Sequence, residues 1–172
     1  MLELINVCKT FNPGTINAKK ALKGINLRLN PGDFVTVIGG NGAGKSTMLN
    51  AVAGVFPIDS GEIIIDAEHV EHLPEHKHAK FIGRVFQDPM TGTAATMEIQ
   101  ENLAIAARRG ERRTFKWGIS SKEKKLYREL LATLELGLED RMTAKVGLLS
   151  GGQRQRVALA RTLMNQSDVL IL

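Results

Sequence analysis

The segment from Gly39 to Ser46 has the spacing of a phosphate-binding loop, two fixed glycines followed by a lysine and a hydroxyl residue. Glycines let the backbone N–H groups turn toward phosphate oxygens, and a helix beginning behind them adds its positive end. Lys45 would charge-pair with the outer phosphates, Ser46 would offer its hydroxyl to Mg²⁺, and Thr47 would contact an inner phosphate. The candidate nucleotide-binding residues of this segment are Gly39, Asn41, Gly42, Ala43, Gly44, Lys45, Ser46 and Thr47. We therefore expect ATP or another nucleoside triphosphate, bound with Mg²⁺.

The flanking residues predict the elements that hold this loop. The apolar run Phe34–Ile38 indicates a buried strand before it, and Met48, Leu49, Val52 and Ala53 recur at helical spacing after it. A glycine-rich turn with a surface lysine is the alternative interpretation, but the strand, loop and helix order favours phosphate binding. The loop leaves the reaction open, because kinases, GTPases, motors and transport ATPases all use it.

A second candidate anion site has the residues Leu149, Ser150, Gly151, Gly152 and Gln153. A serine and two glycines at the start of an amphipathic helix provide free N–H groups, a hydroxyl and a positive dipole end. A helix N-cap without any ligand is the alternative. Together with the phosphate loop and the continuation from Arg154 to Arg161, this segment resembles the nucleotide-binding domain of ABC-type transport ATPases.

The resemblance implies roles for further residues. In that family two such domains form a head-to-tail dimer, in which the phosphate loop of one and the LSGGQ segment of the other enclose each ATP. Gln87 would reach Mg²⁺ and the attacking water, so that Lys45 and Gln87 are the expected catalytic residues and Ser46 and Gln87 the metal-binding ones. Phe11 would stack on adenine, where the family more often has tyrosine. The alternatives are a solvent-exposed glutamine at a strand end and an ordinary core aromatic.

The sequence departs from the family pattern at its last residues. The run Val169–Leu172 resembles the approach to a strand that the family follows at once with an Asp and a catalytic Glu. The family's loop histidine would come later still, whereas the histidines here all precede Gln87: His69, His72, His76 and His78. We expect a truncated domain that is an ATP hydrolase by resemblance, with hydrolysis by these residues alone in doubt.

The expected fold is an α/β P-loop NTPase with a RecA-like parallel sheet, an N-terminal antiparallel β part and an inserted helical subdomain, incomplete at its C-terminus. We expect a single ATP-binding domain over 1–172, with an α/β core at 1–88 and 146–172 and a helical subdomain at 89–145. Ser120 and Glu123 form a capping box before a helix with Leu126, Leu130, Leu131 and Leu134 on one stripe. The other predicted helices begin near Lys45 and cover Ile99 to Ala107.

The composition is that of an ordinary globular domain, with 43% hydrophobic and 24% charged residues. No apolar run reaches the roughly 18 residues of a membrane span, and the N-terminus lacks the features of a signal peptide. We therefore expect a cytoplasmic protein, and the lone Cys8 agrees with a reducing compartment.

Two polar segments allow other interpretations. One is basic, with the residues Arg108, Arg109, Arg112, Arg113, Lys116, Lys122, Lys124 and Lys125. A solvated surface is the favoured interpretation, ahead of an anionic membrane face or acidic partner, and nucleic acid is not expected, since Phe115 and Trp117 are the only nearby rings. The second segment, residues 68–78, has metal-ligand spacings among its histidines, but Pro74 interrupts it, and a polar connection between two strands is favoured.

Three functions compete at this stage. We expect the ATP-driven subunit of a membrane importer, peripheral on the cytoplasmic face, with transmembrane permease subunits, a second copy of itself and a solute-binding protein as partners. Val146 to Leu148 lack the Glu-Arg-Gly approach of many exporters, and Met90 to Thr93 offer a small face for a permease. A soluble ABC-type ATPase acting on nucleic acid or ribosomes is one alternative. A fragment that binds ATP without hydrolysing it is the other.

Overall fold

The computed structural model of the chain describes residues 1–109, 118–165 and 167–172. Its strands are β1 (Leu2–Phe11), β2 (Lys19–Leu29), β3 (Ser60–Ile65), β4 (Glu68–His69), β5 (Ile82–Arg84) and β6 (Val169–Ile171). Its α-helices are α1 (Lys45–Val52), α2 (Glu75–His78), α3 (Ile99–Ala107), α4 (Ser121–Ala132) and α5 (Gly151–Leu163), with a 3₁₀ turn at Val146–Leu148. None of the helices in these ranges is long and apolar enough to span a membrane.

The described residues form two compact units. The first comprises residues 1–82 with Ile171, and the second comprises residues 83–170 with Leu172. β5 and β6 form a two-stranded sheet. The subdivision into an α/β core and a helical subdomain stays a prediction.

A four-stranded antiparallel sheet of order β2-β1-β3-β4 organises the first unit. Alternate residues of its central strands point into the interior, because side chains alternate between the two faces of a strand. Leu2 and Leu4 of β1 and Ile63 and Ile65 of β3 are all at least 96% buried. This sheet is the antiparallel β part that the sequence predicts.

The prediction of a strand at Phe34–Ile38 is wrong. Residues 33–40 have no regular secondary structure, and the side chains of Phe34 and Ile38 are 84% and 89% exposed. A strand is stable only when its N–H and C=O groups pair with a neighbour, and none of the strands in the described ranges pairs with this segment. An apolar run alone does not supply that neighbour.

The second unit is built on helices α3, α4 and α5. Ile99 and Leu103 of α3, Leu131 of α4 and Val157 of α5 belong to one buried apolar cluster. The predicted capping box at the start of α4 is confirmed, since Ser120 and Glu123 exchange hydrogen bonds.

The predicted stripe on α4 is wrong at Leu126. That side chain is 53% exposed, whereas the neighbouring Tyr127 is fully buried. Tyr127 and Leu131 are four residues apart and share one face of the helix, and Leu126 lies to the side of it. Leu134 follows beyond the end of α4 and is buried in the same apolar cluster.

Candidate nucleotide-binding site

The phosphate-binding loop rests on strand β2 through Gly44. This residue has a φ of +90°, and a Cβ atom there would lie 2.7 Å from the carbonyl oxygen of Ala21. Only glycine fits such a left-handed position against another backbone. Gly42 also has a positive φ of +79°, and Ala43 N–H donates to the Gly40 carbonyl at 3.3 Å within the turn. The glycines at these two places therefore let the loop take the tight backbone shape that a phosphate-binding loop needs.

Helix α1 begins directly at the end of this loop, with Gly44 as its N-cap. Gly44 has no side chain to cap the first N–H groups, and no acidic residue lies in the first turn to neutralise the positive end of the helix dipole. The N–H groups of Lys45, Ser46 and Thr47 are thus placed as donors for an anion. Ser46 is exposed and Thr47 half-buried, so both hydroxyls lie near the surface.

The side chain of Lys45 lies over the loop, with its ammonium at the loop backbone. It donates hydrogen bonds to the carbonyl oxygens of Gly39 at 2.5 Å and Gly40 at 2.8 Å. An ammonium has three donors, so a third remains directed away from these two carbonyls. A full positive charge therefore stands at the mouth of the loop, and Asn41 and Gly42 are exposed beside it.

Phe11 lies at the end of β1 and is half-buried. Its ring meets that of Phe56 edge to face, with the centroids 5.2 Å apart and the planes at 79°. The Lys9 ammonium lies 5.8 Å from the Phe11 centroid and 5.6 Å from the Phe56 centroid. Phe11 is therefore neither buried in the core nor free of neighbours, and its role as an adenine platform stays a prediction.

Lys9 is fixed by the segment that follows α1. Its ammonium donates to the Pro57 carbonyl at 2.6 Å and to the Asp59 carboxylate at 3.0 Å, and Asp59 also accepts from the Thr10 N–H at 2.6 Å. The hydrogen bond from Lys9, followed by that from Thr10, holds the pKa of Asp59 below its ordinary value. The end of β1 is thereby tied to the chain leaving α1.

Lys19 is a candidate residue that the sequence patterns did not single out. It is the Cα partner of Phe11 in the β1–β2 ladder, and its ammonium lies 3.8 Å from the place a Cβ of Gly42 would occupy. No local motif marks this lysine, and only the cross-strand register brings it to the loop.

The LSGGQ segment opens α5 with Ser150 as N-cap. The Gln153 N–H donates to the Ser150 hydroxyl oxygen at 3.3 Å, and the Ser150 N–H donates to the Gln153 side-chain oxygen at 3.1 Å. Leu149 is buried, and nothing lies within 4 Å of a Cβ built on Gly151 or Gly152. The serine caps the helix, the two glycines after it expose their backbone, and the role of the segment as an anion site stays a prediction.

The turn before α5 is held by Arg154. Its guanidinium donates to the carbonyl oxygens of Leu149 at 2.9 Å and Gly147 at 3.1 Å. These contacts fix the entry of the LSGGQ segment into the helix, and they come from the residue directly after the five of the motif.

Gln87 follows β5 and is exposed. The loop after it is anchored to α5, because the Arg161 guanidinium donates to Thr93 Oγ1 at 2.8 Å, to the Thr91 carbonyl at 3.4 Å, and to the Gly92 carbonyl. Burial, with a smaller contribution from nearby Arg109, lowers the pKa of Arg161. Gln87 and Ser46 belong to different compact units, and their joint binding of Mg²⁺ stays a prediction.

Asn102 holds the far end of the same loop from α3. This buried side chain accepts from the Ala94 N–H at 2.9 Å and donates to the carbonyl oxygens of Ala94 and Glu98. The segment between Gln87 and α3 is therefore fixed by α5 and α3 together.

The histidine-containing connection is only partly polar, and here the sequence expectation is corrected. His78 is 98% buried, its Nδ1 lies 3.0 Å from the Val52 carbonyl oxygen, and its ring faces Gly54. Gly54 leaves room for the ring because it has no Cβ, which would lie 2.3 Å from His78 Cδ2. Within residues 1–109, 118–165 and 167–172 no three His, Cys, Asp or Glu side chains cluster as metal ligands would.

Part of the basic segment is described. Arg108 pairs with Glu123 at 3.0 Å and donates to the Gly118 carbonyl at 2.8 Å, while Lys122, Lys124 and Lys125 are exposed on α4. Arg109 is exposed as well, and the other residues of that expectation lie outside the described part of the chain: Arg112, Arg113, Phe115, Lys116 and Trp117.

The chain is similar to known proteins over its whole length. The model of the family described as "ABC transporter" matches residues 22–172. A tyrosine transport ATP-binding protein of Clostridioides difficile is 35% identical over 172 residues, which are 100% of this chain and 68% of that protein. The phosphonates import ATP-binding protein PhnC of Lactococcus lactis is 36% identical over 99% of this chain and 68% of its own length.

A solved structure is also similar. The dimeric structure of a post-hydrolysis state of the ATP-binding cassette MJ0796, bound to ADP and Pi, aligns with a TM-score of 0.79 and 33% identity. The alignment covers 99% of this chain and 72% of that one.

Proposed function

This chain belongs to the ABC transporter family, and we propose that it binds ATP as the energy-coupling subunit of a membrane importer. The resemblance stated from the motifs and the P-loop α/β fold class are both confirmed by the family match and the solved cassette. The observation that carries the proposal is the loop ending at Gly44, closed by the Lys45 ammonium and continuing without a side-chain cap into α1.

The residues at the start of α1 fit a magnesium nucleotide. Their uncapped N–H groups and the Lys45 ammonium provide donors and charge for the phosphates, and the exposed Ser46 hydroxyl is an oxygen ligand of the kind Mg²⁺ prefers. Mg²⁺, when bound, neutralises phosphate charge. Gln87 would add a neutral amide oxygen to the same ion.

The partner in the proposed dimer is a second copy of the chain. Gly151 and Gly152 expose backbone at the positive end of α5, and one chain does not readily direct both helix starts at the same triphosphate. A two-fold axis solves this by pairing the phosphate loop of each copy with the LSGGQ segment of the other. The dimeric ADP-bound relative supports this arrangement.

Import rather than export is supported by the names of the relatives. One is described by tyrosine transport and another by phosphonates import. We propose permease subunits and a solute-binding protein as partners, and attachment to the cytoplasmic face of the membrane. The loop at Met90–Thr93, held from α5 by Arg161, is the surface we propose for the permease.

We further propose that the bound ATP is hydrolysed. Lys45 would stabilise the charge that develops on the outer phosphates, and Gln87 would orient water through its amide oxygen. The relative solved with ADP and Pi supports hydrolysis for the family to which this chain belongs.

Nucleotide binding can be tested with a fluorescent ATP analogue and Mg²⁺. Lys45→Ala removes the ammonium at the loop, and losing a charge partner at a phosphate costs about 2 to 5 kcal/mol, so binding should fall by at least about thirtyfold. Lys77→Ala, an exposed lysine of α2, is the matched control and should leave the affinity unchanged. A folded Lys45→Ala protein with wild-type affinity would overturn the assignment.

A further inference from the structure

Lys19 stands beside the predicted base platform. The β1–β2 ladder pairs Phe11 with Lys19 and Thr10 with Lys20. Directly paired residues of an antiparallel ladder point to the same face, with Cβ atoms about 4.5 to 5.5 Å apart. The side chain of Lys19 therefore starts next to Phe11, whereas that of Lys20 starts on the opposite face of the strand.

The ammonium of Lys19 reaches the phosphate loop. It lies 3.8 Å from the position that a Cβ of Gly42 would occupy. Two residues further along the same strand, the Ala21 carbonyl is the backbone atom that Gly44 packs against. The start of β2 and the loop thus form one surface, and the strand fixes where this ammonium can lie.

The ammonium of Lys19 has no partner among the residues that the structure describes. It takes part in no ion pair or hydrogen bond there, and its side chain is exposed. Lys45, in contrast, is bound to the carbonyls of Gly39 and Gly40. The two ammonium groups therefore stand at different parts of the loop. That of Lys45 lies at Gly39 and Gly40, and that of Lys19, whose side chain starts next to Phe11, lies beside Gly42.

We propose that Lys19 is a second cation of the nucleotide site and binds the phosphate nearest the ribose. The proposal rests on the proposed ATP binding. In this arrangement the base lies on Phe11 and the outer phosphates lie at Lys45. The phosphate nearest the ribose then lies beside the start of β2, next to Lys19. An ammonium at that place pairs with one phosphate charge and adds a charge-assisted hydrogen bond.

The matched variants are Lys19→Met and Lys20→Met, which remove the same charge from opposite faces of one strand. We expect Lys19→Met to weaken Mg·ATP and Mg·ADP to the same extent, by about tenfold, and Lys20→Met to change either affinity less than about twofold. Lys19→Arg keeps the charge and should restore most of the affinity. Equal affinities of Lys19→Met and Lys20→Met would overturn the proposal.

Salt and stability measurements separate binding from folding. The affinity of the wild-type chain for Mg·ATP should fall more steeply with added salt than that of Lys19→Met, because one fewer charge pair is screened. Thermal unfolding of the two methionine variants should match, since both lysines are exposed. If Lys19→Met alone unfolds early, Lys19→Gln replaces it in the same comparison, and a Gln variant with wild-type affinity overturns the proposal equally.

The same series shows which proposal fails. A wild-type chain that does not bind Mg·ATP, or binds it regardless of Lys45, contradicts the proposed function. A wild-type chain that binds Mg·ATP, loses it on Lys45→Ala and keeps it on Lys19→Met contradicts only the role of Lys19.

Discussion

The Lys9 ammonium and the Asp59 carboxylate form an ion pair at 3.0 Å that joins the end of β1 to the chain leaving α1. The Lys9 side chain is only 13% exposed, and its ammonium lies 5.8 Å from the ring centroid of Phe11 and 5.6 Å from that of Phe56. The carboxylate thereby positions the lysine, and the lysine supports the ring predicted to receive the base.

Asp59→Asn should weaken binding of the base while leaving binding of the phosphates intact. Without the carboxylate charge, Lys9 keeps its hydrogen bond to the Pro57 carbonyl but is held less firmly beside Phe11. Stacking on an aromatic ring contributes about 1 to 3 kcal/mol. We expect Mg·ATP affinity to fall about fivefold or more and Mg·tripolyphosphate affinity to stay constant. Glu75→Gln, an exposed carboxylate of α2, is the control, and a parallel loss of both ligands in Asp59→Asn would contradict this role.

Gly44→Ala should destabilise the fold and abolish nucleotide binding together. A Cβ at this residue would lie 2.7 Å from the Ala21 carbonyl oxygen, and an alanine would also have to adopt a φ of +90°. We therefore expect the free energy of unfolding to fall by about 2 kcal/mol. Gly40→Ala is the control in the same loop, because nothing lies within 4 Å of its Cβ position. Urea unfolding of both variants measures the difference, and equal midpoints would show that the loop does not rest on β2.

Ser150→Asp should keep helix α5 and disrupt the dimer. Asp caps a helix about as well as Ser, so the cap on the Gln153 N–H persists, but its charge repels the phosphate of a neighbouring subunit. We expect wild-type monomer affinity for Mg·ATP and no ATP-dependent dimer on a sizing column. Ser150→Ala removes the helix cap, which lowers the stability of the fold by about 1 kcal/mol, but it adds no charge, so this variant should still dimerise. A dimer of the Asp variant would argue against the head-to-tail arrangement.

Glu123 should make the stability of the second unit depend on acidity. Hydrogen bonds from the Ser120 hydroxyl and N–H, followed by that from Arg108, lower its pKa from 4.5 to about 2. A carboxyl whose pKa is lower in the folded protein stabilises it fully above the unfolded pKa, and this contribution disappears as pH falls toward the folded pKa. Urea midpoints of the wild type should therefore decrease between about pH 5 and pH 2.

Glu123→Gln should lack that part of the pH dependence, because its amide does not titrate. Glu129→Gln, an exposed residue of the same helix, should retain it. Identical pH profiles for wild type and Glu123→Gln would contradict the assignment of the effect to this carboxyl.

Features encoded within a few consecutive residues were predictable from the sequence. The capping box of Ser120 and Glu123, a helix that starts after Ser150, and the bounds of α3 from Ile99 to Ala107 are confirmed. Each depends on contacts between residues three or four apart, so the pattern and the structure carry the same information.

Features that depend on distant partners were not predictable in the same way. Phe34–Ile38 has the composition of a strand, but forming one requires a neighbouring strand that no local pattern supplies. Lys19 reaches the loop only through its register opposite Phe11, and a shift by one residue would have placed Lys20 there instead.

Helix α1 is held at its start by the backbone of strand β2 and at its end by a buried histidine side chain. At its start Gly44 packs against the carbonyl of Ala21, and at its end the Val52 carbonyl accepts the hydrogen of buried His78, because a carbonyl can only accept. Eight residues of helix measure about 12 Å, so this element is a short rigid rod from the phosphate loop to an imidazole in the interior. We therefore expect the imidazole resonances of His78 to shift when a nucleotide occupies the loop at the other end of the helix, which would report binding without a label on the ligand.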